Sequence, residues 1–151
     1  MKIRKAKVQD IPEIHKIING YAKKNLMLPR SLSELYESVQ EFFVVEVNKK
    51  IVGCCALHVT WEDLGEIRSI AVKREYQNRN YGAKLLAACH KQAKNLGLKK
   101  VFTLTVIPEY FKKFGYKEIP KEKLPHKVWS DCIKCPLFPD CNEIPLVKLL
   151  E

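Results

Sequence analysis

The fold of this chain is decided by residues 65–82, which read GEIRSIAVKREYQNRNYG. Apolar residues within 67–72 predict a strand, and the polar residues 77–82 predict a loop. Apolar residues then recur at helical spacing from Leu85, which predicts a long helix. A helix N-terminus presents unpaired N–H groups and the positive end of its dipole. This strand–loop–helix segment therefore predicts an anion site suited to a polyphosphate.

The chain of 151 residues carries 27 Lys and Arg against 17 Asp and Glu, a net charge of +10. No run of about 18 apolar residues is present, which predicts no membrane span. The polar N-terminus does not resemble a secretory signal, so we expect a cytoplasmic protein. The positive charge favours an anionic partner: nucleic acid, a nucleotide cofactor or an acidic metabolite. The basic residues are spread along the chain, which is typical of a solvated surface rather than a nucleic-acid-binding face.

The predicted elements follow the order β-α-α-β-β-β-α-β-α-β. A segment rich in proline and cysteine, residues 120–145, comes next, and residues 144–150 predict a closing strand. This alternation predicts a single α/β (α+β) domain over residues 1–151, built around a mixed sheet and including the segment 120–145.

Local signals refine these elements. Two pairs have the capping-box spacing that begins a helix: Asp10 with Glu13, and Ser31 with Glu34. Gly53 predicts a bulge in a hairpin formed by residues 42–60. Three cysteines lie inside apolar segments and are predicted to be small core residues: Cys54, Cys55 and Cys89.

Two motifs in this order resemble the GNAT superfamily of N-acetyltransferases. The loop of that family reads roughly Q/R-x-x-G-x-G/A. Here QNRNYG, residues 77–82, keeps the second glycine as Gly82 and has Asn80 in place of the first. We expect Asn80 to adopt the left-handed conformation that the loop needs. YFKKFGY, residues 110–116, resembles the family's late helix-and-turn motif. The resemblance implies a single-domain fold with a mixed, mostly antiparallel sheet flanked by helices.

Within the superfamily, the chain is most similar to short, single-domain amino-acid N-acetyltransferases of the N-acetylglutamate synthase type. LPRS at 28–31 resembles their substrate-side loop, EIRSIAV at 66–72 their central strand, and residues 127–141 their cysteine-bearing tail. The resemblance implies acetyl transfer from acetyl-CoA to the α-amine of a small anionic amino acid, L-glutamate, in arginine biosynthesis. It implies no nucleic-acid or membrane partner, and a homodimer is compatible with it.

Two other functions remain open at this point. The acceptor is alternatively a protein N-terminus, a lysine or another small amine, although an arginine-lined site disfavours polyamines. The chain is alternatively a non-catalytic basic module that binds nucleic acid, in which case the loop at 77–82 has no explanation.

The resemblance also assigns residues to the coenzyme. The backbone of Ile70, Ala71 and Val72 is expected to pair with the pantetheine arm, and one of its N–H groups to polarise the thioester. The pyrophosphate is expected to lie against the loop and the first helical turn: Gln77, Asn78, Arg79, Asn80, Tyr81, Gly82 and Ala83. Phe111 stands where the family has its tyrosine proton donor. Tyr110 is therefore the candidate that protonates the departing thiolate, with solvent or an unprotonated thiolate as alternatives.

On the acceptor side, Glu66 is the candidate general base, with a solvated strand-edge carboxylate as the structural alternative. Arg30, Ser31 and Arg68 are the candidate substrate-binding residues, because a guanidinium binds a carboxylate bidentately. Strand alternation predicts that Arg68 shares a face with Glu66 and Ile70. The structural alternative for Arg68 is a salt bridge.

The tail offers the ligand types of a structural zinc site. These are His126, Cys132, Cys135 and Cys141. Free thiols or a disulfide are the alternatives, so no metal is assigned.

Overall fold

The computed structural model describes residues 1–124 and 143–151. Its strands are β1 (Lys2–Lys5), β2 (Phe42–Val47), β3 (Lys50–Trp61), β4 (Leu64–Val72), β5 (Lys100–Thr105), β6 (Lys117–Glu118) and β7 (Ile144–Leu149). Its α-helices are α1 (Ile11–Ala22), α2 (Leu32–Glu37), α3 (Tyr81–Asn95) and α4 (Pro108–Lys112). The strands form one sheet in the order β1-β2-β3-β4-β5-β7-β6. Among the strands of the described residues, only β4 and β5 pair in parallel, which confirms the mixed, mostly antiparallel sheet.

The sheet separates two apolar cores. On the α3 side, Ile67 packs with Leu85, Leu86 and Cys89, which recur along one face of α3. On the α1 side, the core is lined by Ile11, Ile14, Ile18, Val44, Cys54 and Ala56. Each fully buried Ile or Leu contributes about 1.5–3 kcal/mol, so these two layers hold the helices against the sheet. All three core cysteines are buried and free, as the sequence predicted.

The two predicted capping boxes have different outcomes. At α2 the prediction is confirmed, because the Glu34 N–H donates to Ser31 Oγ at 3.1 Å. At α1 it is wrong. The buried Asp10 carboxylate accepts from the Lys7 N–H at 2.7 Å and pairs with Arg4, while Glu13 lies 2.6 Å from Lys73. Asp10 therefore ties β1 to the chain ahead of α1 and does not cap the helix.

Bulges displace the register on both strands of the central hairpin. In β3, the partners step from Val45–Gly53 to Glu46–Ile51, which confirms the bulge beside Gly53. A second extra residue in β3 lies at Thr60. Between the pairs Cys54–Ala71 and Ala56–Arg68, β3 advances by two residues and β4 by three, so β4 contains an extra residue. Ser69 lies within this bulge and has a φ of +55°. Each bulge shifts which side chains share a face.

Strands β4 and β5 pair over a short distance and then separate. Their ladder runs from Leu64–Lys100 to Glu66–Phe102. Beyond it the Thr103 hydroxyl donates to the Ile67 carbonyl at 3.0 Å, while β5 pairs with β7 along its whole length. The second half of β4, residues 68–72, thus faces an opening in the sheet.

Within residues 1–124 and 143–151, no helix is long and apolar enough to cross a membrane.

Candidate active site

The loop before α3 adopts the conformation that the sequence predicted. Asn80 has φ +63° and ψ +19°, the left-handed region, and Asn78 has φ +64°. Asparagine is enriched in this region relative to other residues with a Cβ, so the loop closes without a glycine at position 80. The Gln77 amide donates to the Tyr21 hydroxyl at 2.6 Å and lies 3.4 Å from the Val72 carbonyl. The loop is thereby anchored to α1 and to the end of β4.

The N-terminus of α3 is positively polarised. Asn80 makes no side-chain cap, and the first turn contains no acidic residue. Arg79 packs over the Tyr76 ring, with Cζ 5.3 Å from the ring centroid, and donates weakly to the Glu75 carbonyl at 3.5 Å. The first turn of α3 therefore has N–H groups without helical partners and a nearby cation, an environment that favours an anion.

Tyr110 reaches this same turn from α4. A Cβ built on Gly82 would lie 2.1 Å from the Tyr110 hydroxyl oxygen, so a larger residue there would require Tyr110 or the helix turn to shift. The Tyr110 ring packs edge-on against Phe111 and Phe114, with centroids 5.4 and 5.3 Å away. Burial, with a smaller effect of Cys55, raises the pKa of Tyr110, so its hydroxyl stays protonated at neutral pH. Phe111 is buried in the core and presents no hydroxyl to the site.

On the α1 side of the sheet, Arg30 is largely buried, with 12% of its side chain exposed. Its guanidinium lies 3.3 Å from Ser69 Oγ and 3.3 Å from Ser38 Oγ. The Asn19 side chain holds its backbone, donating to the Arg30 carbonyl at 3.0 Å. Burial, and next the neighbouring Arg68, lower the pKa of Arg30, but a guanidinium remains charged.

Glu66 and Arg68 lie side by side on this same side of the sheet. Arg68 Nε donates to Glu66 Oε1 at 2.7 Å, and only 13% of the Glu66 side chain is exposed. Ile67 between them is buried on the α3 side, so the predicted shared face of Glu66 and Arg68 is confirmed. For Ile70 the prediction is wrong: the bulge at Ser69 turns Ile70 to the α3 side, where it packs with Ile67.

Sequence reasoning missed part of the site. His58 Nδ1 lies 2.7 Å from Glu41 Oε2, and His58 is the cross-strand partner of Glu66. Counting residues back from the turn is the way to locate the partner of His58. Without a bulge that count pairs His58 with Ile67, so it misplaces the residue. We call the whole set the polar cluster, and its members are Arg30, Glu41, His58, Glu66, Arg68 and Ser69.

The remaining predicted residues lie at the edges of this arrangement. The exposed Ser31 uses its hydroxyl to cap α2, and the Val72 carbonyl accepts from Tyr21. The exposed Glu109 on α4 pairs with Lys112. The four possible zinc ligands lie outside the described residues. In the two described segments, no group of three or more His, Cys, Asp or Glu is arranged to hold a metal ion.

Comparison with known proteins gives the family. The family model for the acetyltransferase (GNAT) family matches residues 10–116. An N-acetyltransferase of Chlorobaculum tepidum is 39% identical over 148 residues, covering 98% of this chain and 96% of that protein. The amino-acid acetyltransferase of Mycobacterium tuberculosis is 38% identical over 132 residues, covering 85% of this chain and 75% of that protein.

A solved structure agrees with this assignment. N-acetylglutamate synthase from Neisseria gonorrhoeae, complexed with coenzyme A and N-acetyl-glutamate, superposes with a TM-score of 0.92 at 30% identity. The match covers 99% of this chain and 35% of the synthase, so the chain spans about a third of that protein. The separation of β4 from β5 and the loop before α3 are thus features of an acetyl-CoA-dependent N-acetyltransferase. The chain belongs to the GNAT family.

Proposed function

We propose that this protein transfers the acetyl group of acetyl-CoA to the α-amine of an amino acid, and that the acceptor is L-glutamate. The observation that carries the proposal is the pair of guanidiniums on one side of the sheet, Arg30 and Arg68, beside the carboxylate of Glu66. An acceptor with two carboxylates and one ammonium complements this arrangement of charges.

The residues around the loop suit a coenzyme with a polyphosphate. Pyrophosphate binds the N–H groups of residues 79–83, where the dipole of α3 favours negative charge. The pantetheine arm enters the opening between β4 and β5 and pairs with the backbone of Ile70, Ala71 and Val72. The end of the β4–β5 ladder at Glu66–Phe102 supports this proposal, because beyond it the edge of β4 that faces β5 is not paired with β5.

On the acceptor side, Arg30 and Arg68 bind the carboxylates and orient the amine toward the thioester. Glu66 removes a proton from the ammonium, directly or through a water molecule. The amine then attacks the thioester carbonyl, which a backbone N–H of β4 polarises. Because the attack is direct, the reaction needs no cysteine nucleophile, and the cysteines of the described residues are buried.

Tyr110 serves the coenzyme end of the site. Its hydroxyl is protonated and lies against Gly82, so it is a hydrogen-bond donor at the N-terminus of α3. We assign it the protonation of the departing thiolate.

The relatives support an amino acid as the acceptor. The Mycobacterium tuberculosis relative is named an amino-acid acetyltransferase, and the gonococcal synthase was solved with N-acetyl-glutamate and coenzyme A.

An acceptor panel tests the proposal. Release of free coenzyme A thiol is followed with acetyl-CoA and each standard amino acid, with a polyamine and an N-terminal peptide as comparisons. We expect L-glutamate to have the highest kcat/KM. Turnover with none of the amino acids would overturn the proposal, and a higher kcat/KM for another amino acid would overturn the assignment of glutamate.

A further inference from the structure

His58 and Glu41 form a polar pair to which the proposed reaction assigns no role. His58 lies on β3, and Glu41 ends the short 3-10 turn Val39–Glu41 that precedes β2. His58 Nδ1 and Glu41 Oε2 are 2.7 Å apart. The exposed fractions of the two side chains are 29% and 27%, so both lie within the protein surface yet remain in reach of water.

The position of this pair relative to Glu66 comes from a bulge. The turn pairs Trp61 with Leu64, and without a bulge His58 would oppose Ile67 and face the α3-side core. The extra residue at Thr60 instead places His58 opposite Glu66. Directly opposed residues on neighbouring strands have Cβ atoms about 4.5–5.5 Å apart, so His58 and Glu66 are neighbouring residues on the α1 side of the sheet.

Glu66 by itself is a poor final acceptor for the proton of an ammonium. The Arg68 guanidinium at 2.7 Å favours its ionised form. Imidazole is the side chain that proteins use most often to accept and release a proton in catalysis. The neighbouring ring is therefore the better place for the proton to go.

Glu41 is arranged to receive a positive ring. Its Oε1 is buried and has no hydrogen-bond partner among residues 1–124 and 143–151, while its Oε2 contacts His58. A desolvated carboxylate is stabilised when the group beside it becomes cationic.

Charged groups from several elements surround this pair. Glu41 contacts the ring and Glu66 lies opposite His58. Arg68 on β4 and Arg30 before α2 interact with Glu66, and Lys5 on β1 interacts with Glu41. A dicarboxylate acceptor would offset the positive charge of the two arginines beside this pair.

We propose that His58, oriented by Glu41, receives the proton that Glu66 takes from the acceptor amine and passes it to water. The inference rests on the proposed function. The N–H bond of the ammonium breaks and its electron pair stays on nitrogen. The proton binds Glu66, moves to Nε2 of His58 and leaves to solvent, so both side chains return to their starting forms. His58 and Glu41 are thus positioning residues that act through Glu66.

The test compares His58→Gln with His15→Gln, a matched substitution on α1 outside the polar cluster. For H58Q we expect kcat near neutral pH to fall about 30-fold, within the range of general acid–base effects, with the acceptor KM changed less than about threefold. The deficit should shrink above about pH 9, where free amine is abundant. For Glu41→Gln, which keeps the ring, we expect a smaller loss, about threefold to tenfold, with the same pH dependence.

Two results would overturn the role of His58. One is a kcat for H58Q within about twofold of H15Q across the pH range, and the other is a loss of the same size at every pH. E41Q gives the second measurement if H58Q folds poorly, because it removes only a charge. Absence of turnover by the unsubstituted protein would instead defeat the proposed function. If the unsubstituted protein is active and the kcat of H58Q and E41Q is unchanged, only the proton transfer from Glu66 to His58 is contradicted, and the proposed function stands.

Discussion

The loop before α3 and the polar cluster are built in different ways. The loop is a continuous run, residues 77–82, and what it offers a ligand is backbone: N–H groups, two left-handed asparagines and a glycine. The polar cluster is made of side chains drawn from the α1–α2 connection, the turn before β2, and strands β3 and β4. A site made of backbone groups can be recognised from one short motif. A site made of side chains depends on how elements distant in the sequence align.

This difference predicts that the two regions can be damaged independently. Changes in the loop should alter the affinity for the coenzyme, and changes in the cluster should alter the acceptor kinetics. Variants of each region, measured against both substrates, test whether the separation holds.

The largest effect is expected for Arg30→Ala. A hydrogen bond to a charged group is worth about 1.5–3 kcal/mol, so kcat/KM for the acceptor should fall about 10- to 150-fold. The Kd of acetyl-CoA, measured by calorimetry, should stay within about twofold, because Arg30 contacts Ser69 and Ser38 rather than the loop. For Arg30→Lys, which keeps the charge but lacks the planar guanidinium, kcat/KM should lie between the values of R30A and the unsubstituted protein.

Arg79→Ala is the matched variant on the coenzyme side. It should weaken acetyl-CoA binding and leave the acceptor KM unchanged, since Arg79 packs on Tyr76 beside the loop. If R30A weakened the binding of acetyl-CoA as strongly as it lowered kcat/KM for the acceptor, the two regions would be energetically coupled. That result would contradict their independence.

The next effect is expected at Gly82. A Cβ there would lie 2.1 Å from the Tyr110 hydroxyl and 3.3 Å from its Cζ. Gly82→Ala should therefore displace Tyr110 or the first turn of α3 and raise the Kd of acetyl-CoA about tenfold, since overpacking costs about 1–3 kcal/mol. Adding Tyr110→Phe removes the closest atom, so the double variant should regain part of the affinity.

Gly20→Ala is the control for this experiment. Apart from its chain neighbours and the backbone of its own helix, no atom lies within 4 Å of a Cβ at Gly20, so that variant should bind acetyl-CoA normally. An unchanged coenzyme affinity in G82A would show that the contact between Gly82 and Tyr110 does not shape the loop.

The same contrast explains what was predictable from the sequence. The left-handed Asn80 follows from residue chemistry within a few positions of the chain, whereas the contact that disfavours a side chain at Gly82 comes from Tyr110 on α4. The shared face of Glu66 and Arg68 follows from strand alternation, which holds up to Arg68. Ile70 was misplaced and His58 was missed for one reason: a bulge adds a single residue, and a one-residue shift moves every following side chain to the other face.

A third prediction concerns the scaffold behind the loop, where His90 on α3 meets Tyr116. His90 Nε2 lies 2.6 Å from the Tyr116 hydroxyl, and burial, with Lys148 and Lys94, lowers the pKa of His90 to about 4. Unfolded histidine titrates near pH 6.5, so the unfolded state binds the extra proton between about pH 6.5 and pH 4. The free energy of unfolding should therefore fall as the pH is lowered through this window.

Thermal unfolding checks this prediction. The Tm should drop by a few degrees from pH 7 to pH 4.5 because of His90, since about 1 kcal/mol shifts the Tm of a domain this size by about 2–4 °C. His90→Gln should have a shallower dependence of Tm on pH. Equal slopes for H90Q and the unsubstituted protein would contradict the effect of burial on His90.

The smallest effect is expected for Asn80→Gly, which asks whether the loop is defined by backbone conformation alone. Asn80 has φ +63°, and glycine adopts that φ freely, so the loop should keep its shape and the Kd of acetyl-CoA should stay unchanged or tighten by up to about threefold. The free energy of unfolding should change by about 1 kcal/mol or less, because a relaxed left-handed residue is offset by the greater entropy of unfolded glycine.

Asn80→Ala gives the opposite case, because its Cβ is strained at positive φ without the local hydrogen bonding of asparagine. It should bind the coenzyme more weakly than N80G. A clear loss of affinity in N80G would mean that the asparagine side chain, and not the backbone, contacts the ligand.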